Sequence, residues 1–118
     1  MYKIAIVDDE VMILNVLSRF LSRKFDVTTF SNPVEALKAI KQNNFDLVLS
    51  DIMMPDLDGL SLLKNLRDSG CNVKVIMMTA FDTLDKALEA HKYGAKNYFK
   101  KPFHSLEEIQ ERILSELD

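Results

Sequence analysis

Five polar side chains, each at or near the end of a short apolar run, are the residues of this sequence best suited to chemistry: Asp8, Asp9, Asp51, Thr79 and Lys101. Carboxylates that share a crevice repel one another unless protons or a hard cation intervene. Carboxylate and carbonyl oxygens suit Mg²⁺, which keeps several of its waters, whereas no cysteine or histidine pattern in the sequence supports zinc. The three acids therefore predict a magnesium site.

Asp51 is the candidate nucleophile of this set. Its carboxylate could attack a phosphoryl donor in line and form an acyl phosphate, while Thr79, Lys101 and the cation hold the other phosphoryl oxygens as charge develops. The alternative is that Asp51 only caps the turn that Pro55 and Gly59 indicate. The phosphoryl interpretation depends on these groups converging, and therefore on the fold.

Five short strands are the elements that would bring the groups together. Continuous apolar runs without polar alternation are typical of strands buried on both faces of a parallel sheet. The predicted strands cover residues 3–7, 26–30, 47–50, 73–78 and 97–99, the second of them at an edge. Each reactive group then stands at or just beyond the carboxyl end of a strand.

Helices are predicted between the strands and after the last one. Apolar residues recur at a helical period in residues 11–24, 33–42, 60–68 and 83–93, and again after the capping box that begins at Ser105. The 83–93 helix carries little apolar bulk, so we predict that it is weakly anchored and easily moved. The alternation predicts an α/β fold, a doubly wound five-stranded parallel sheet of order 2-1-3-4-5 with five helices, whose crevice lies between the first and third strands.

The composition is that of one soluble globular domain covering residues 1–118. Charged residues make up 28% and hydrophobic residues 47% of the chain, and the net charge of -3 without a basic stripe argues against nucleic-acid binding. The single cysteine, Cys71, allows no internal disulfide and favours a reducing compartment. No apolar run is long enough for a membrane span or a secretion signal, so we expect a cytoplasmic protein.

Four motifs, in this order and spacing, resemble those of the response-regulator receiver domain of bacterial two-component signalling along the whole chain. They are Val7-Asp8-Asp9-Glu10, Leu49-Ser50-Asp51-Ile52-Met53-Met54-Pro55 with Asp58-Gly59, Met78-Thr79-Ala80, and Lys101-Pro102-Phe103. The resemblance implies a flavodoxin-like fold. It also implies a signalling phosphoacceptor rather than a classical enzyme, with Mg²⁺-dependent self-phosphorylation and self-dephosphorylation.

The resemblance further implies how the acids act. Asp51 would accept a phosphoryl group from a phosphohistidine, and Asp9, Asp51 and the Met53 backbone carbonyl would bind Mg²⁺ directly. Asp8 would act through metal-bound water. Met53 cannot orient an attacking water through a side-chain hydrogen bond, whereas Asp82 could, so these two residues suggest opposite effects on the lifetime of the acyl phosphate.

By the same resemblance, Thr79 and Lys101 would contact the phosphoryl group, and the Lys101–Pro102 peptide bond would be cis. Thr79 would turn toward the phosphoryl oxygen, and Tyr98 would swing inward behind it. This movement would change the surface formed by the fourth helix, fifth strand and fifth helix. Tyr98 could equally be a static, half-buried aromatic side chain.

The implied partners are a sensor histidine kinase or a histidine phosphotransfer protein upstream, and a downstream protein or a missing output domain. A phosphorylation-dependent homodimer is a further expectation, whereas direct nucleic-acid or membrane contact by this domain is not expected. By analogy with the family, Leu14, Met12 and the exposed side of the first helix would dock the kinase.

Other functions on a similar sheet fit the sequence less well. An aspartyl phosphohydrolase usually has a second acid two residues after its nucleophile, where this chain has Met53. A flavin-binding protein would need a hydroxyl- and glycine-rich phosphate loop after the first strand, where Asp8, Asp9 and Glu10 repel phosphate. A phosphate-independent scaffold is disfavoured because every reactive position is filled.

The remaining polar and sulfur-containing residues have structural explanations. Asp56 and Asp58 are interpreted as turn and cap residues. Three methionines are interpreted as core: Met54, Met77 and Met78. We expect the two histidines, His91 and His104, to be solvated.

Overall fold

The computed structural model describes residues 1–79, 84–101, 103 and 105–118, in which strands and helices alternate. The strands are β1 (Lys3–Val7), β2 (Asp26–Phe30), β3 (Leu47–Asp51), β4 (Lys74–Thr79) and β5 (Ala95–Lys100). The helices are α1 (Val11–Leu21), α2 (Pro33–Gln42), α3 (Gly59–Asp68), α4 (Leu84–Lys92) and α5 (Leu106–Leu117). Within these ranges, none of the helices combines the length and the apolar character that crossing a bilayer requires.

The strands form one parallel sheet of order β2-β1-β3-β4-β5, which confirms the predicted topology. Every residue of the central strand β3 is buried, as its unbroken apolar run predicted. The direction of winding reverses between β1 and β3, where Val7 lies opposite Ser50. The crevice expected at this reversal therefore opens directly above Asp51.

Each face of the sheet has its own hydrophobic core. Alternate side chains of a strand point to opposite faces, so Ile4 and Ile6 of β1 pack with α1 and α5, while Ala5 and Val7 pack with α2, α3 and α4. The three methionines predicted as core residues are buried, which confirms that interpretation: Met54, Met77 and Met78.

Several element boundaries differ from prediction. β3 ends at Asp51 rather than at residue 50, α3 begins at Gly59 rather than at residue 60, and α4 ends at Lys92 rather than at residue 93. α1 ends at Leu21 rather than at residue 24, because the chain turns there and the Phe25 amide donates to the Leu21 carbonyl, which brings Phe25 into the core. β4 begins and ends one residue later than predicted. β5 extends from Ala95 to Lys100 rather than over 97–99, because pairing with β4 includes residues whose side chains are exposed.

α4 has the sparse apolar packing that its sequence indicated. Among its described side chains, Ala87 and Ala90 are buried, whereas Leu88 is 57% exposed. Two small methyl groups bury little apolar area compared with the leucines and isoleucines of the other helices. Its mobility remains a prediction.

The residues predicted to cap helices lie at helix starts, and the residue predicted to shape the turn lies in it. Asn32 accepts from the amides of the first turn of α2, and Ser105 accepts from the Glu108 amide at 3.1 Å at the start of α5. Asp58 accepts from the Ser61 amide at 2.7 Å and begins α3. Asp56 has a φ of 70°, a left-handed conformation that aspartate tolerates better than most residues.

Candidate functional site

The five reactive residues predicted from the sequence meet at one edge of the sheet. Asp8 and Asp9 follow β1, Asp51 ends β3, Thr79 ends β4, and Lys101 follows β5. The three acids each place a carboxylate oxygen within 4.8 Å of the other two. The predicted convergence of the acids is therefore confirmed.

The site is buried at its base and open at its mouth. Asp8 and Thr79 are no more than 1% exposed and Asp51 is 5% exposed, whereas Asp9 is exposed to solvent. Parallel strand ends leave such a crevice because the loops that follow them diverge toward opposite faces of the sheet. A small ligand can therefore approach Asp51 from the side of Asp9.

Lys101 lies among the acids. Its Nζ is 2.7 Å from Asp8 Oδ2, 3.3 Å from Asp51 Oδ1 and 3.5 Å from Glu10 Oε1. The backbone of the same residue is tied to β4, because its amide donates to the Thr79 carbonyl at 2.8 Å. One lysine thus bridges the ends of three strands.

Asp8 has a structural role as well as a place in the site. Its Oδ1 accepts from the Glu10 amide at 2.9 Å, and Glu10 is the residue that precedes α1. Its other oxygen is the one that contacts Lys101. Asp8 therefore takes part both in the entry to α1 and in the acidic site.

Burial and like charge dominate the electrostatics of the crevice. Burial, with the nearby charge of Asp8, raises the pKa of Asp51 to about 6, although Lys101 acts in the opposite direction. Burial also raises the pKa of Asp8. Burial acts to lower the pKa of Lys101, but its contacts with Asp8 and Asp51 outweigh this effect and raise the pKa. A cation that binds among carboxylates with raised pKa values would offset their mutual repulsion, so such a cluster favours cation binding.

The donor set of the crevice fits a hard divalent cation. Its possible oxygen ligands are the carboxylates of Asp8, Asp9 and Asp51, and the Lys101 ammonium group lies among them. Mg²⁺ binds through one or two carboxylates and keeps its remaining waters, which suits a crevice open at Asp9. This fit agrees with the predicted magnesium site.

The turn after Asp51 packs closely on the acceptor backbone. The Ile52 amide donates to the Met78 carbonyl, and the Gly59 amide donates to the Ile52 carbonyl at 2.7 Å. A Cβ at position 59 would lie 2.1 Å from the Asp51 carbonyl oxygen. Glycine is therefore required for the start of α3 to approach Asp51, a function that its place in a turn did not reveal.

The side chains of Met53 and Tyr98 both face outward. Met53 lies on the turn after β3 and is 51% exposed. Tyr98 is 38% exposed and borders a cavity of about 220 Å³ between α4 and β5, together with Leu88 and His91. The His91 ring is exposed, and its Nδ1 lies 3.2 Å from the Ala95 carbonyl oxygen. The switching role of Tyr98 and the ligand role of the Met53 carbonyl remain predictions.

Two sets of contacts near the site were not predicted from the sequence. Glu10 contacts Lys101, and its position beside two acids was an available signal. Lys86 of α4 contacts Asp58 and Met53, which only the packing of α4 against the turn could reveal. Four residues given roles or motif places in the sequence analysis lie outside the described residues: Ala80, Asp82, Pro102 and His104.

Comparison with known proteins gives concordant results. Residues 4–114 match the response regulator receiver domain family. The chain is 43% identical over 99 residues to the DNA-binding transcriptional regulator NtrC of Escherichia coli strain K12, which covers 83% of this chain and 21% of NtrC. It is 36% identical to the transcriptional regulatory protein CiaR of Streptococcus pneumoniae over 96% of this chain and 50% of CiaR.

Solved structures agree with the sequence comparison. The receiver domain of Francisella response regulator 1452 superposes with a TM-score of 0.89 at 35% identity, over 98% of this chain and 95% of that one. A response regulator receiver domain protein from Clostridium thermocellum superposes with a TM-score of 0.92 at 30% identity, over 99% and 94% of the two chains. The chain spans about half or less of the curated relatives named above.

The crevice, the parallel sheet that builds it and the match over residues 4–114 lead to the same conclusion. Receiver domains commonly bind Mg²⁺ at an acidic pocket, and the Asp8, Asp9 and Asp51 cluster could hold such an ion. The chain belongs to the family of response regulator receiver domains.

Proposed function

We propose that Asp51 accepts a phosphoryl group from a phosphohistidine on a sensor histidine kinase or a histidine phosphotransfer protein. The observation that carries this proposal is the cluster at the end of β3, where Asp51 Oδ1 lies 3.3 Å from Lys101 Nζ among three converging carboxylates. A turn cap needs neither a lysine that is only 12% exposed nor a second and third acid. Phosphoryl transfer uses all of them.

The transfer exchanges one phosphorus bond for another. An Asp51 carboxylate oxygen attacks phosphorus in line, the bond from phosphorus to the imidazole nitrogen breaks, and its electron pair leaves with the imidazole. Asp51 must be ionised to attack, and a pKa of about 6 leaves it mostly ionised at neutral pH. The Lys101 ammonium and the Thr79 hydroxyl would contact the phosphoryl oxygens as the Asp51 oxygen bonds to phosphorus.

Asp9, Asp51 and the Met53 carbonyl would hold Mg²⁺, with Asp8 in the outer sphere of the ion. When bound, the ion would neutralise charge that the phosphoryl oxygens and the carboxylates share. Together with the Lys101 ammonium, which contacts Asp8 and Asp51, the ion would offset the negative charge of the clustered acids. The same residues would serve self-phosphorylation from a small phosphodonor and self-dephosphorylation by water.

An intact-mass comparison tests the acceptor. Wild type, Asp51→Asn and Asp56→Asn proteins are incubated with acetyl phosphate and Mg²⁺, and again with EDTA. We expect one phosphoryl group on wild type and on the Asp56→Asn control. This control changes a nearby acid in the turn, at a left-handed backbone position that asparagine also adopts readily. We expect none on Asp51→Asn and none with EDTA. A folded wild type that gains no mass would favour a phosphate-independent binding module instead.

We further propose that phosphorylation changes the surface of α4, β5 and α5 through Thr79 and Tyr98. The 38% exposure of Tyr98 and the cavity beside it give the ring room to move, and α4 has little apolar anchoring. Fluorotyrosine ¹⁹F NMR tests the switch. The Tyr98 resonance, assigned with Tyr98→Phe, should shift on phosphorylation, whereas that of Tyr2 at the opposite end of the sheet should not. An unshifted Tyr98 resonance would make it a static side chain.

The exposed face of α1 beside the crevice is the proposed docking surface for the phosphodonor protein. Val11, Met12 and Val16 are 58%, 80% and 51% exposed, although each is apolar. The expectation that Leu14 belongs to this face is wrong, because its side chain is buried in the core beneath α1. Val16→Glu should slow phosphotransfer from a histidine kinase and leave phosphorylation by acetyl phosphate unchanged. Equal rates in both assays would remove this surface from the proposal.

Output is proposed to act through another protein, through an attached output domain or through a phosphorylation-dependent homodimer. NtrC and CiaR, of which the chain spans 21% and 50%, are named as transcriptional regulators. Sedimentation velocity of the phosphorylated and unphosphorylated chain distinguishes a homodimer from a monomer that acts on a partner. A cytoplasmic location and a single domain over residues 1–118 belong to the same proposal.

A further inference from the structure

A lysine on α4 contacts the turn that follows the acceptor. Lys86 Nζ lies 3.3 Å from Asp58 Oδ2 and 3.8 Å from the sulfur of Met53. Both residues belong to residues 52–58, which we call the acceptor turn because it joins Asp51 to α3. Through Lys86, α4 therefore touches the segment that carries the proposed metal ligand at Met53.

The acceptor turn is held tightly at the Asp58 end. Asp58 Oδ1 accepts from the Ser61 amide at 2.7 Å, and the next residue, Gly59, donates to the Ile52 carbonyl at 2.7 Å. The start of α3 cannot move closer to the Asp51 backbone, because Gly59 is already so close that a Cβ there would overlap the Asp51 carbonyl. A displacement of Asp58 must therefore be absorbed between Ile52 and Asp58, where Met53 lies.

α4, by contrast, combines sparse apolar packing of its described side chains with polar contacts near both of its ends. Ala87 and Ala90 are its buried side chains among those described. At its C-terminal end, Arg67 donates to the Tyr93 carbonyl at 2.9 Å and to two carbonyls that precede β4. Lys86 lies near the other end of the helix. Its contacts with the acceptor turn therefore hold the part of α4 farthest from Arg67.

We propose that Lys86 is a positioning residue for the phosphoacceptor site, because its contacts with Asp58 and Met53 couple the position of α4 to the acceptor turn. This inference rests on the proposed function. Coupling between two sites is reciprocal, so a partner that holds α4 in this position strengthens Mg²⁺ binding, and Mg²⁺ in turn stabilises this position of α4. The route passes through the acceptor turn and is separate from Thr79 and Tyr98.

The sign of one change distinguishes positioning from simple electrostatics. Lys86→Met removes a positive charge from the neighbourhood of three acids, which by Coulomb attraction alone would strengthen the binding of a dication. Loss of the contact that holds the acceptor turn would instead weaken the binding of the dication. We expect Mg²⁺ affinity, measured by titration calorimetry, to fall about two- to fivefold, within the limit that an exposed ion pair sets.

Four further variants isolate the contact: Lys86→Arg, Asp58→Asn, the double variant of Lys86→Met with Asp58→Asn, and Lys64→Met. Lys86→Arg keeps a cation able to reach Asp58 and should restore most of the affinity. Asp58→Asn keeps a good helix cap but loses the charge, so it should resemble Lys86→Met, and the double variant should be no weaker than either alone. Lys64→Met removes a 3.5 Å contact with Glu89 that also joins α3 to α4, and should leave Mg²⁺ affinity unreduced.

Hydrogen exchange supplies a readout independent of the acceptor reaction. Mg²⁺ should slow exchange of α4 amides in wild type and in Lys64→Met, and should not do so in Lys86→Met. A Lys86→Met protein that binds Mg²⁺ as tightly as wild type or more tightly overturns the inference and leaves the proposed function intact. A wild type that neither binds Mg²⁺ nor gains a phosphoryl group overturns both.

Discussion

Lys101 Nζ lies closer to Asp8 Oδ2, at 2.7 Å, than to the acceptor oxygen Asp51 Oδ1, at 3.3 Å. The lysine is 12% exposed and Asp8 is fully buried, so this is an ion pair with little solvent screening. Before phosphorylation, the ammonium group thus stabilises an acid next to the acceptor. Contact with a phosphoryl group on Asp51 would require only a small shift of the same side chain.

The first prediction concerns this ion pair. Lys101→Met leaves buried Asp8 without its cation and should lower the free energy of unfolding of the metal-free protein by about 2–4 kcal/mol at neutral pH. Lys96→Met is the matched control, because Lys96 lies on β5, the strand that Lys101 follows, with its side chain exposed. That change should alter stability by no more than about 0.5 kcal/mol. Urea denaturation in EDTA measures both, and equal losses would contradict the assignment.

The second prediction concerns pH. The pKa of Asp51 is about 6 in the folded protein against an ordinary 3.8, so the folded state binds more protons between these values and loses stability as the pH rises through them. Asp51→Asn removes this loss while Asp8 remains paired with Lys101. In EDTA, the free energy of unfolding of Asp51→Asn should equal that of wild type at acidic pH. Above neutral pH it should exceed the wild-type value by about 2–3 kcal/mol. A difference that is constant with pH would contradict it.

The third prediction separates metal binding from folding. Asp9 is exposed, so Asp9→Asn should leave the stability of the metal-free protein within about 0.5 kcal/mol of wild type. Mg²⁺ at one hundred times its Kd should stabilise wild type by about 2.7 kcal/mol, and the same concentration should stabilise Asp9→Asn far less. Thermal unfolding across a Mg²⁺ series measures this. Asp56→Asn should respond to Mg²⁺ as wild type does.

The fourth prediction concerns the glycine beside the acceptor. Gly59→Ala drives a Cβ against the Asp51 carbonyl and the Ile52 Cα, both of them backbone atoms, and should cost about 2–3 kcal/mol and reduce phosphorylation of Asp51. Gly70→Ala meets nothing within 4 Å but has a φ of 83°, so it should cost about 1 kcal/mol through the backbone alone. Its phosphorylation should be unchanged. A Gly59→Ala protein with normal phosphorylation would show that α3 can move away without disturbing Asp51.

Local patterns sufficed to predict the sheet and the residues at its edge. The unbroken apolar run before Asp51 predicts a strand buried on both faces, and the capping residues Asn32, Asp58 and Ser105 mark where helices begin. Such signals are read from neighbours in the chain, and the right-handed crossover then restricts the strand order. The convergence of the acids followed from those elements alone.

Contacts between distant parts of the chain were decided only by the tertiary structure. Lys101 and Asp8 are 93 residues apart, and Lys86 and Asp58 are 28 apart, so neither pair has a local signal. The same holds for the approach of Gly59 to Asp51, which looks like an ordinary turn until α3 is packed. Periodicity determines which face of an element is buried, but the packing of one element on another determines which side chains meet.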